Sequence, residues 1–179
     1  MAWTAPMTAV AGDIWTSAQF NTYVRGNLLE SLPGKATAAG RFGITTGANT
    51  IAERAITEAT VATAQTRTLT SYGDLTTVGP SITATTGTKA IVWFQSRMGN
   101  SSANAETSVS VAVSGATTIS ASDDWRLLQS GCAANSINRG GMVHMFTGLT
   151  AGSNTFTMKY RVSGGTGTFQ DRSLILFPL

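Results

Sequence analysis

The side chains best suited to nucleophilic catalysis or to zinc binding are one histidine, His144, and one cysteine, Cys132. One His and one Cys cannot complete a tetrahedral site, so the sequence predicts no zinc centre. A Ser-His-Asp site would need His144 to meet a serine and an aspartate, but the sequence has no G-x-S-x-G turn to present that serine. A Cys132–His144 pair is formally possible, and nothing else in the pattern supports it. His144 alternates with Val143 and Met145, which favours a structural residue of a strand.

Asp123 and Asp124 are the one adjacent pair of carboxylates among nine acidic residues. They precede Trp125 and lack the ligand spacing of a calcium loop, so a turn is the preferred interpretation. Glycoside hydrolysis needs two carboxylates that fold together, and the sequence leaves a small jelly-roll hydrolase open as an alternative. The glycine-rich run GGTGTF at residues 164–169 joins two predicted strands and opens no helix, which disfavours a phosphate loop. We therefore predict no enzyme activity and no cofactor.

Charge and composition restrict the partners of this chain. Its 179 residues carry a formal net charge of +3, and only 12% of them are charged. The arginines are scattered, so the sequence predicts no nucleic-acid interface. No run approaches the roughly 20 apolar residues that span a bilayer, which predicts no membrane insertion. The low net charge leaves little repulsion to oppose self-association.

Residues 61–179 have the pattern of a β domain, which makes the predicted fold mainly β. Short runs of β-branched or aromatic residues are separated there by turn residues. Eight such runs predict an antiparallel β-sandwich or jelly roll of about eight strands. The runs are VATAQTRTLT, SITATT, KAIVWFQSRM, TSVSVAVSG, WRLLQS, GGMVHMFTGL, NTFTMKYRV and DRSLILFPL.

Alternation within these runs predicts which side chains are buried. Val109, Val111 and Val113 share one face of a strand. The same holds for a second set, Phe156, Met158, Tyr160 and Val162. By contrast, AIVWF at residues 90–94 and LILF at residues 174–177 are apolar on both faces, which predicts central strands or strands at a subunit interface.

One amphipathic helix is predicted near the start of the sequence, within residues 12–34. Thr16 and Gln19 fit a capping box, and Trp15 and Phe20 are placed for a hydrophobic staple, so the helix should begin at Thr16. The pair Pro33-Gly34 should end it. Apolar residues recur at three- and four-residue spacing and predict one stripe: Phe20, Tyr23, Val24, Leu28 and Leu32.

Residues 34–60 are rich in small side chains and predict an extended connector. Two short β-like pieces, 41–45 and 50–54, flank a turn at residues 46–49. The helix could lie back on its own β domain or pack outward against copies of itself or another assembly, and the connector favours outward packing. The predicted organisation is a docking or oligomerisation segment at 1–33, a connector at 34–60 and a β domain at 61–179.

The segment AGDIWTSAQFNTYVRGNLLESLP, followed by GRFGITTGANTIAER, resembles the N-terminal half of a group of virion proteins. These are minor tail or head-associated structural proteins of tailed phages of actinobacteria. In that group a Trp-bearing helix precedes a G-x-x-x-x-T-G-x-N-x-I/L segment and a β-rich region. Members often carry an acidic residue where this chain has Gly26. The resemblance implies a particle component without enzyme activity.

We therefore predict a non-enzymatic structural component of a virion, a homotrimer attached through its N-terminal segment to other virion proteins of the tail or capsid surface. Interface hot spots are rich in Trp and Tyr, which favours Trp3 and Trp15 as anchors. The full set of predicted docking residues is Trp3, Trp15, Phe20, Tyr23, Val24 and Leu28. The alternative is a module that binds a host-surface glycan through exposed aromatic residues such as Trp93, Trp125 or Phe169, although alternation places Trp93 inside.

Overall fold

The computed structural model describes residues 4–8, 10–31 and 36–179. Trp3, Leu32 and the predicted helix end at Pro33-Gly34 lie outside the described residues. The chain forms two compact units, Met1–Ala55 and Ile56–Leu179. Within the described residues, no helix is long and apolar enough to cross a membrane.

The helical segment of the first unit begins as predicted. The Thr16 hydroxyl accepts a hydrogen bond from the Gln19 backbone N–H at 3.2 Å, and the Gln19 side chain accepts one from the Thr16 backbone N–H at 2.9 Å, so the capping box is confirmed. Helix α1 (Ser17–Phe20) continues into a π-helical stretch, Asn21–Gly26, and then into α2 (Asn27–Leu29). The wider i→i+5 bonding of a π-helix changes the direction of the side chains. The single stripe expected for a regular α-helix is therefore interrupted.

A two-stranded hairpin completes the described part of the first unit. Strands β1 (Arg41–Gly47) and β2 (Thr50–Ala55) pair antiparallel around a turn in which Asn49 has a φ of 56°. Asn tolerates this left-handed conformation better than most residues. The Glu53 carboxylate accepts hydrogen bonds from the backbone and the hydroxyl of Thr37. The predicted connector thus contains the two predicted β pieces, joined as one hairpin.

The second unit is built from two sheets. Its strands are β3 (Thr57–Val61), β4 (Gln65–Arg67), β5 (Ser81–Thr86), β6 (Lys89–Asn100), β7 (Thr107–Gly115), β8 (Leu127–Gln129), β9 (Ile137–Thr147), β10 (Gly152–Val162) and β11 (Gly167–Pro178). The first sheet, called the β6 sheet, has the order β3-β11-β6-β9, and β4 extends the β3 side by pairing with β11. The second, called the β10 sheet, has the order β5-β10-β7-β8.

The order of the strands is that of a jelly roll. Apart from β4, eight strands form two four-stranded sheets, and the chain crosses between the sheets at every step except from β7 to β8. The first strand pairs with the last, as in a double Greek key. The predicted antiparallel β-sandwich is confirmed. The unit begins at Ile56, before the predicted boundary at residue 61, because β3 pairs with β11.

The inward faces of the two sheets form one core. Val109, Val111 and Val113 of β7 are buried as alternation predicts. The rings of Phe146 on β9 and Phe156 on β10 meet across the sandwich with centroids 5.7 Å apart. The predicted second set is also fully buried: Phe156, Met158, Tyr160 and Val162. Strands β6 and β11 are central strands of their sheet, as their apolar runs predict.

A bulge in β11 changes which of its side chains face the core. The register between β11 and β6 shifts between Gln170 and Ser173, and Asp171 has a φ of 48°. Two residues therefore oppose one on β6, which is the mark of a β-bulge. As a result Asp171 faces outward, while Arg172 turns inward and is only 1% exposed.

Candidate interaction surfaces

The structure places His144 among aromatic rings. Its ring stacks on Trp125 with centroids 5.0 Å apart and meets Phe146 edge-on at 4.7 Å. Burial lowers the pKa of His144. In the part of the chain that the structure describes, the imidazole of His144 forms no hydrogen bond with a serine, cysteine or aspartate. The packing supports the structural interpretation of His144.

Among the described residues, the polar contacts of the Cys132 thiol are with Ser130 and Asn138 and do not include His144. The thiol is 3.4 Å from the backbone oxygen of Ser130 and 3.6 Å from the side-chain nitrogen of Asn138. Among the described residues, no three His, Cys, Asp or Glu side chains cluster in a way that could hold a metal ion.

Asp123 belongs to a network of charged groups around Arg161 of β10. Arg161 donates two hydrogen bonds to its carboxylate, at 3.0 and 2.7 Å, and the Tyr72 hydroxyl donates a third at 2.7 Å. Arg126 lies 3.5 Å from the same carboxylate and 3.0 Å from that of Glu106. Burial raises the pKa of Tyr72 to about 12, and its hydrogen bond to Asp123 adds to the shift.

These contacts decide the charge of the Asp123 carboxylate. Desolvation alone would raise the pKa of Asp123, but the hydrogen bonds from Arg161 and Tyr72 outweigh it and hold that pKa below its usual value. Asp123 starts a single 3₁₀ turn, Asp123–Trp125, capped by the Ser122 hydroxyl, which accepts from the Asp124 backbone N–H at 3.2 Å. The predicted turn is confirmed. A carboxylate bound by two arginines is poorly placed to act as a general acid.

Replacing Asp123 with Asn should lower the free energy of unfolding by about 1 kcal/mol at pH 7, because the ion pairs are partly exposed and screened. A lowered folded-state pKa means that this contribution is present above the unfolded value of about 3.9 and is lost as the pH falls through the folded value. Urea unfolding should therefore show a difference from the wild type that shrinks below pH 4. Asp124→Asn is the control, because Asp124 has no ion pair among the described residues. Equal effects of the two substitutions would contradict the assignment.

The outward face of the β10 sheet is polar. Hydroxyl groups pair across its strands: Thr83 with Thr155 at 2.7 Å, and Ser81 with Thr157 at 2.8 Å. Next to these rows the Lys159 ammonium bonds both oxygens of the Asp74 carboxylate, at 2.7 and 2.8 Å. This face can satisfy its hydrogen bonds with water, as a solvent-exposed surface does.

The outward face of the β6 sheet is apolar over two adjacent rows of three strands. Trp93 pairs with Val143 of β9 and Ile175 of β11, and Ile91 pairs with Met145 and Phe177 in the next row. Trp93 is 49% exposed, Val143 56% and Met145 50%. These six residues are called the apolar patch: Ile91, Trp93, Val143, Met145, Ile175 and Phe177.

The structure corrects two sequence predictions about aromatic side chains. Trp93 was expected inside and is instead half exposed, since its neighbours Val92 and Phe94 are the inward residues of β6. Phe169 was a candidate for sugar stacking, but it is fully buried with its ring 4.9 Å from that of Tyr160. Trp125 is partly buried, and its indole nitrogen donates to the backbone oxygen of Val111 at 3.0 Å.

The N-terminal segment carries the second apolar surface. Three of its predicted docking residues are exposed: Trp15 by 43%, Phe20 by 51% and Leu28 by 65%. Tyr23 and Val24 are half-buried and, with Leu28, line an open groove of about 310 Å³. The structure thus brings Tyr23, Val24 and Leu28 together, while Phe20 does not line the groove.

An asparagine holds the chain start against this segment. The buried Asn27 side chain accepts from the Thr4 backbone N–H at 2.9 Å and donates to the Thr4 backbone oxygen at 2.9 Å. It also donates to the Tyr23 backbone oxygen at 3.0 Å. Sequence reasoning missed Asn27, because a polar residue between apolar positions of a predicted helix carries no signal of its own.

The protein is therefore a jelly-roll sandwich in which one sheet has a polar outer face and the other an outer face with an apolar patch, preceded by a unit with exposed apolar side chains. No protein family model matches the chain. No curated protein matches it either.

Among solved structures, the chain is similar to structures of infectious bursal disease virus. For the Gx strain the TM-score is 0.44 at 10% identity, over 75% of this chain and 36% of that chain. For the Gt strain it is 0.44 at 12% identity, over 74% and 36%. An isomalto-dextranase of Arthrobacter globiformis T6 complexed with panose gives 0.37 at 14% identity, over 67% and 23%. The chain thus spans about a third of the two viral chains. The resemblance to actinobacterial phage proteins stays a prediction.

Proposed function

We propose that this protein is a non-enzymatic structural component of a virion, attached through its N-terminal segment to the tail or capsid surface and carrying its jelly roll outward. One observation carries the proposal: Trp15, Phe20 and Leu28 are exposed on a short segment that has its own N-terminal cap and precedes a separate compact unit. Covering each of these side chains contributes on the order of 1.5 to 3 kcal/mol before ordering costs.

The side chains that could do chemistry support the non-enzymatic part of the proposal. His144 is packed between Trp125 and Phe146, and the Asp123 carboxylate is bound by arginines. Each of these groups has a structural role that explains its position. A jelly-roll hydrolase that used His144 or Asp123 would need that group free to act on a substrate.

The homotrimer that the sequence predicts remains part of the proposal. A three-fold arrangement would repeat the same docking contact three times and so strengthen attachment through avidity. The trimer, the partner proteins on the tail or capsid and the location in the virion stay predictions.

The double variant Phe20→Ser, Leu28→Ser should be absent from purified particles, because it lacks the two apolar side chains that contact the docking surface. Mass spectrometry of the particles measures the amount of protein incorporated. Asn21→Ser and Thr22→Ser on the same segment form the matched control, since both residues are exposed and polar. Unchanged incorporation of the Phe20→Ser, Leu28→Ser variant, with an unchanged unfolding transition, would contradict attachment through this segment.

A glycan-binding module is the second candidate, and the exposed ring of Trp93 favours it. Sugar sites combine a stacking ring with polar groups that bond the hydroxyls. The register neighbours of Trp93 are Val143 and Ile175, which offer no such side-chain groups. Binding of the full chain to host cell walls, lost in Trp93→Ala, would support this candidate over the first.

A further inference from the structure

The two outer faces of the jelly roll differ in polarity, and exposure of both faces to solvent does not explain the difference. The β10 sheet presents hydroxyl pairs and a Lys159–Asp74 ion pair. The β6 sheet presents the apolar patch, in which none of the six side chains carries a charge or a hydrogen-bonding group apart from the indole N–H of Trp93. Sandwich sheets normally place polar residues on the outer face. A second apolar face is what a sheet needs when it packs against another sheet on that side as well.

The patch is large enough to form the apolar centre of a protein contact. Two rows on three strands, at about 4.8 Å between strands and about 6.8 Å between same-face residues, cover about 14 Å by 14 Å, or roughly 200 Å² before side-chain relief is counted. With its polar rim, this patch supplies the apolar centre of an interface of about 800 Å² per partner, which is the standard size.

Two opposite charges flank the patch. Glu58 on β3 pairs with Ile175, so it stands in the Trp93 row at one side of the patch. Lys89 lies on the same face of β6, two residues before Ile91, at one end of the patch. Both residues are exposed, and among the described residues neither has an ion-pair partner. The Glu58 carboxylate accepts one hydrogen bond, from the Ser173 hydroxyl at 2.8 Å.

The positions of these charges are related by symmetry. From the strand and residue spacing, Glu58 and Lys89 each lie about 10 Å from the patch centre, in directions roughly perpendicular to each other. A two-fold axis in the plane of the contact, through the patch centre and about midway between the two directions, exchanges the two positions. Glu58 of one copy then faces Lys89 of the other, twice per contact. The strands of the two copies cross at close to a right angle, which is one of the two usual ways in which sheets pack.

We propose that the apolar patch binds the same patch of a second copy of this chain about such a two-fold axis, with Glu58 and Lys89 forming reciprocal ion pairs at the rim. The contact is isologous, because each copy supplies the same surface. It does not depend on attachment through the N-terminal segment. A chain that also trimerises through that segment forms closed hexamers where the two-fold and three-fold axes intersect, and a chain that does not trimerise forms dimers.

Light scattering of the purified full chain at micromolar concentration tests the contact. Trp93→Glu should halve the measured mass, because a charge at the patch centre would be buried without a partner. Met145→Lys is a second patch variant with the same expected result. Thr157→Glu on the hydroxyl face is the matched control and should keep the mass of the wild type. Circular dichroism checks that all three variants keep the wild-type spectrum and a cooperative thermal transition, because loss of the contact itself lowers the unfolding temperature of Trp93→Glu and Met145→Lys. A wild type with the same mass as Trp93→Glu and Met145→Lys would overturn the proposal.

Charge exchange tests the symmetry. Glu58→Lys and Lys89→Glu should each raise the dissociation constant about tenfold or more, because each places like charges together twice per contact. The double variant Glu58→Lys, Lys89→Glu should return to within about threefold of the wild type, since the reversed pairs attract again. If another segment of the chain or a different protein covered the patch, the double variant would not recover. Failure to recover would therefore overturn the two-fold pairing, whatever the outcome for particle attachment.

Discussion

Replacing Arg172 with Ala lowers the free energy of unfolding by about 3 to 5 kcal/mol, the range expected when a large buried side chain is removed and its partners lose their bonds. The guanidinium donates to the backbone oxygens of Gly79 and Thr63, at 3.1 and 3.4 Å, and to the Gln65 side chain at 3.2 Å. It also lies over the Tyr160 ring, 5.3 Å from the centroid. Urea unfolding followed by circular dichroism measures the loss.

The surroundings of Arg172 explain its large contribution to the free energy of unfolding. Among the described residues it has no carboxylate partner, so neutral oxygens and one aromatic face surround its charge. These groups come from the stretch before β4 (Thr63), from β4 itself (Gln65), from the stretch before β5 (Gly79) and from β10 (Tyr160), which makes Arg172 a link between β11 and four other parts of the unit. Tyr160 shares one acceptor, because its hydroxyl donates to the Gly79 backbone oxygen at 2.8 Å.

Two variants separate the causes of this loss. Arg172→Met keeps a long side chain but cannot donate, so we expect a smaller cost of about 1 to 3 kcal/mol. Arg97→Ala is the control on β6, since Arg97 is 41% exposed and pairs with Asp171 at the surface. Its cost should stay within about 1 kcal/mol. Equal costs for Arg172→Ala and Arg97→Ala would show that the buried bonds do not stabilise the fold as described.

Replacing Gly115 with Ala should cost about 3 kcal/mol or more. Gly115 ends β7 with a φ of 102°, and a Cβ at this position would lie 2.5 Å from the backbone oxygen of Ser153. That oxygen accepts from the Ala116 backbone N–H at 2.9 Å, so it cannot move away freely. The positive φ and the close approach each add strain of about 1 to 3 kcal/mol. Thermal unfolding measures the change.

Gly131→Ala is the matched control for this prediction. Gly131 also has a positive φ, of 65°, but nothing lies within 4 Å of its ideal Cβ. Its substitution should therefore cost only the conformational term, about 1 to 2 kcal/mol. If both substitutions cost the same, the close approach at Ser153 contributes nothing.

Local patterns in the sequence predicted the local parts of the structure. The Thr16–Gln19 capping box depends on four consecutive residues, and the alternation in β7 and β10 depends on side-chain direction alone. The hairpin turn at Asn49 is equally local. These features were therefore predicted correctly.

Features that depend on pairing between distant strands were not predicted. The β11 bulge reverses the face of Arg172 and has no sequence signal, because an Asp-Arg pair is compatible with a regular strand. The start of the second unit at Ile56 depends on the pairing of β3 with β11. Trp93 was placed inside because an apolar run gives no means of telling its two faces apart. The position of Glu58 beside the apolar patch follows from the same long-range register.

The order of pairing in the β6 sheet has a consequence for biosynthesis. Strand β11 lies between β3 and β6, although it follows both in the chain by many residues. Until β11 has been translated, β3 and β6 have no strand between them to pair with. Their apolar surfaces therefore stay exposed to chaperones or to other nascent chains during translation. The capped helix and the hairpin before Ile56 need only nearby residues and can form early. Closure of the sandwich comes last, when residues 167–178 have left the exit tunnel.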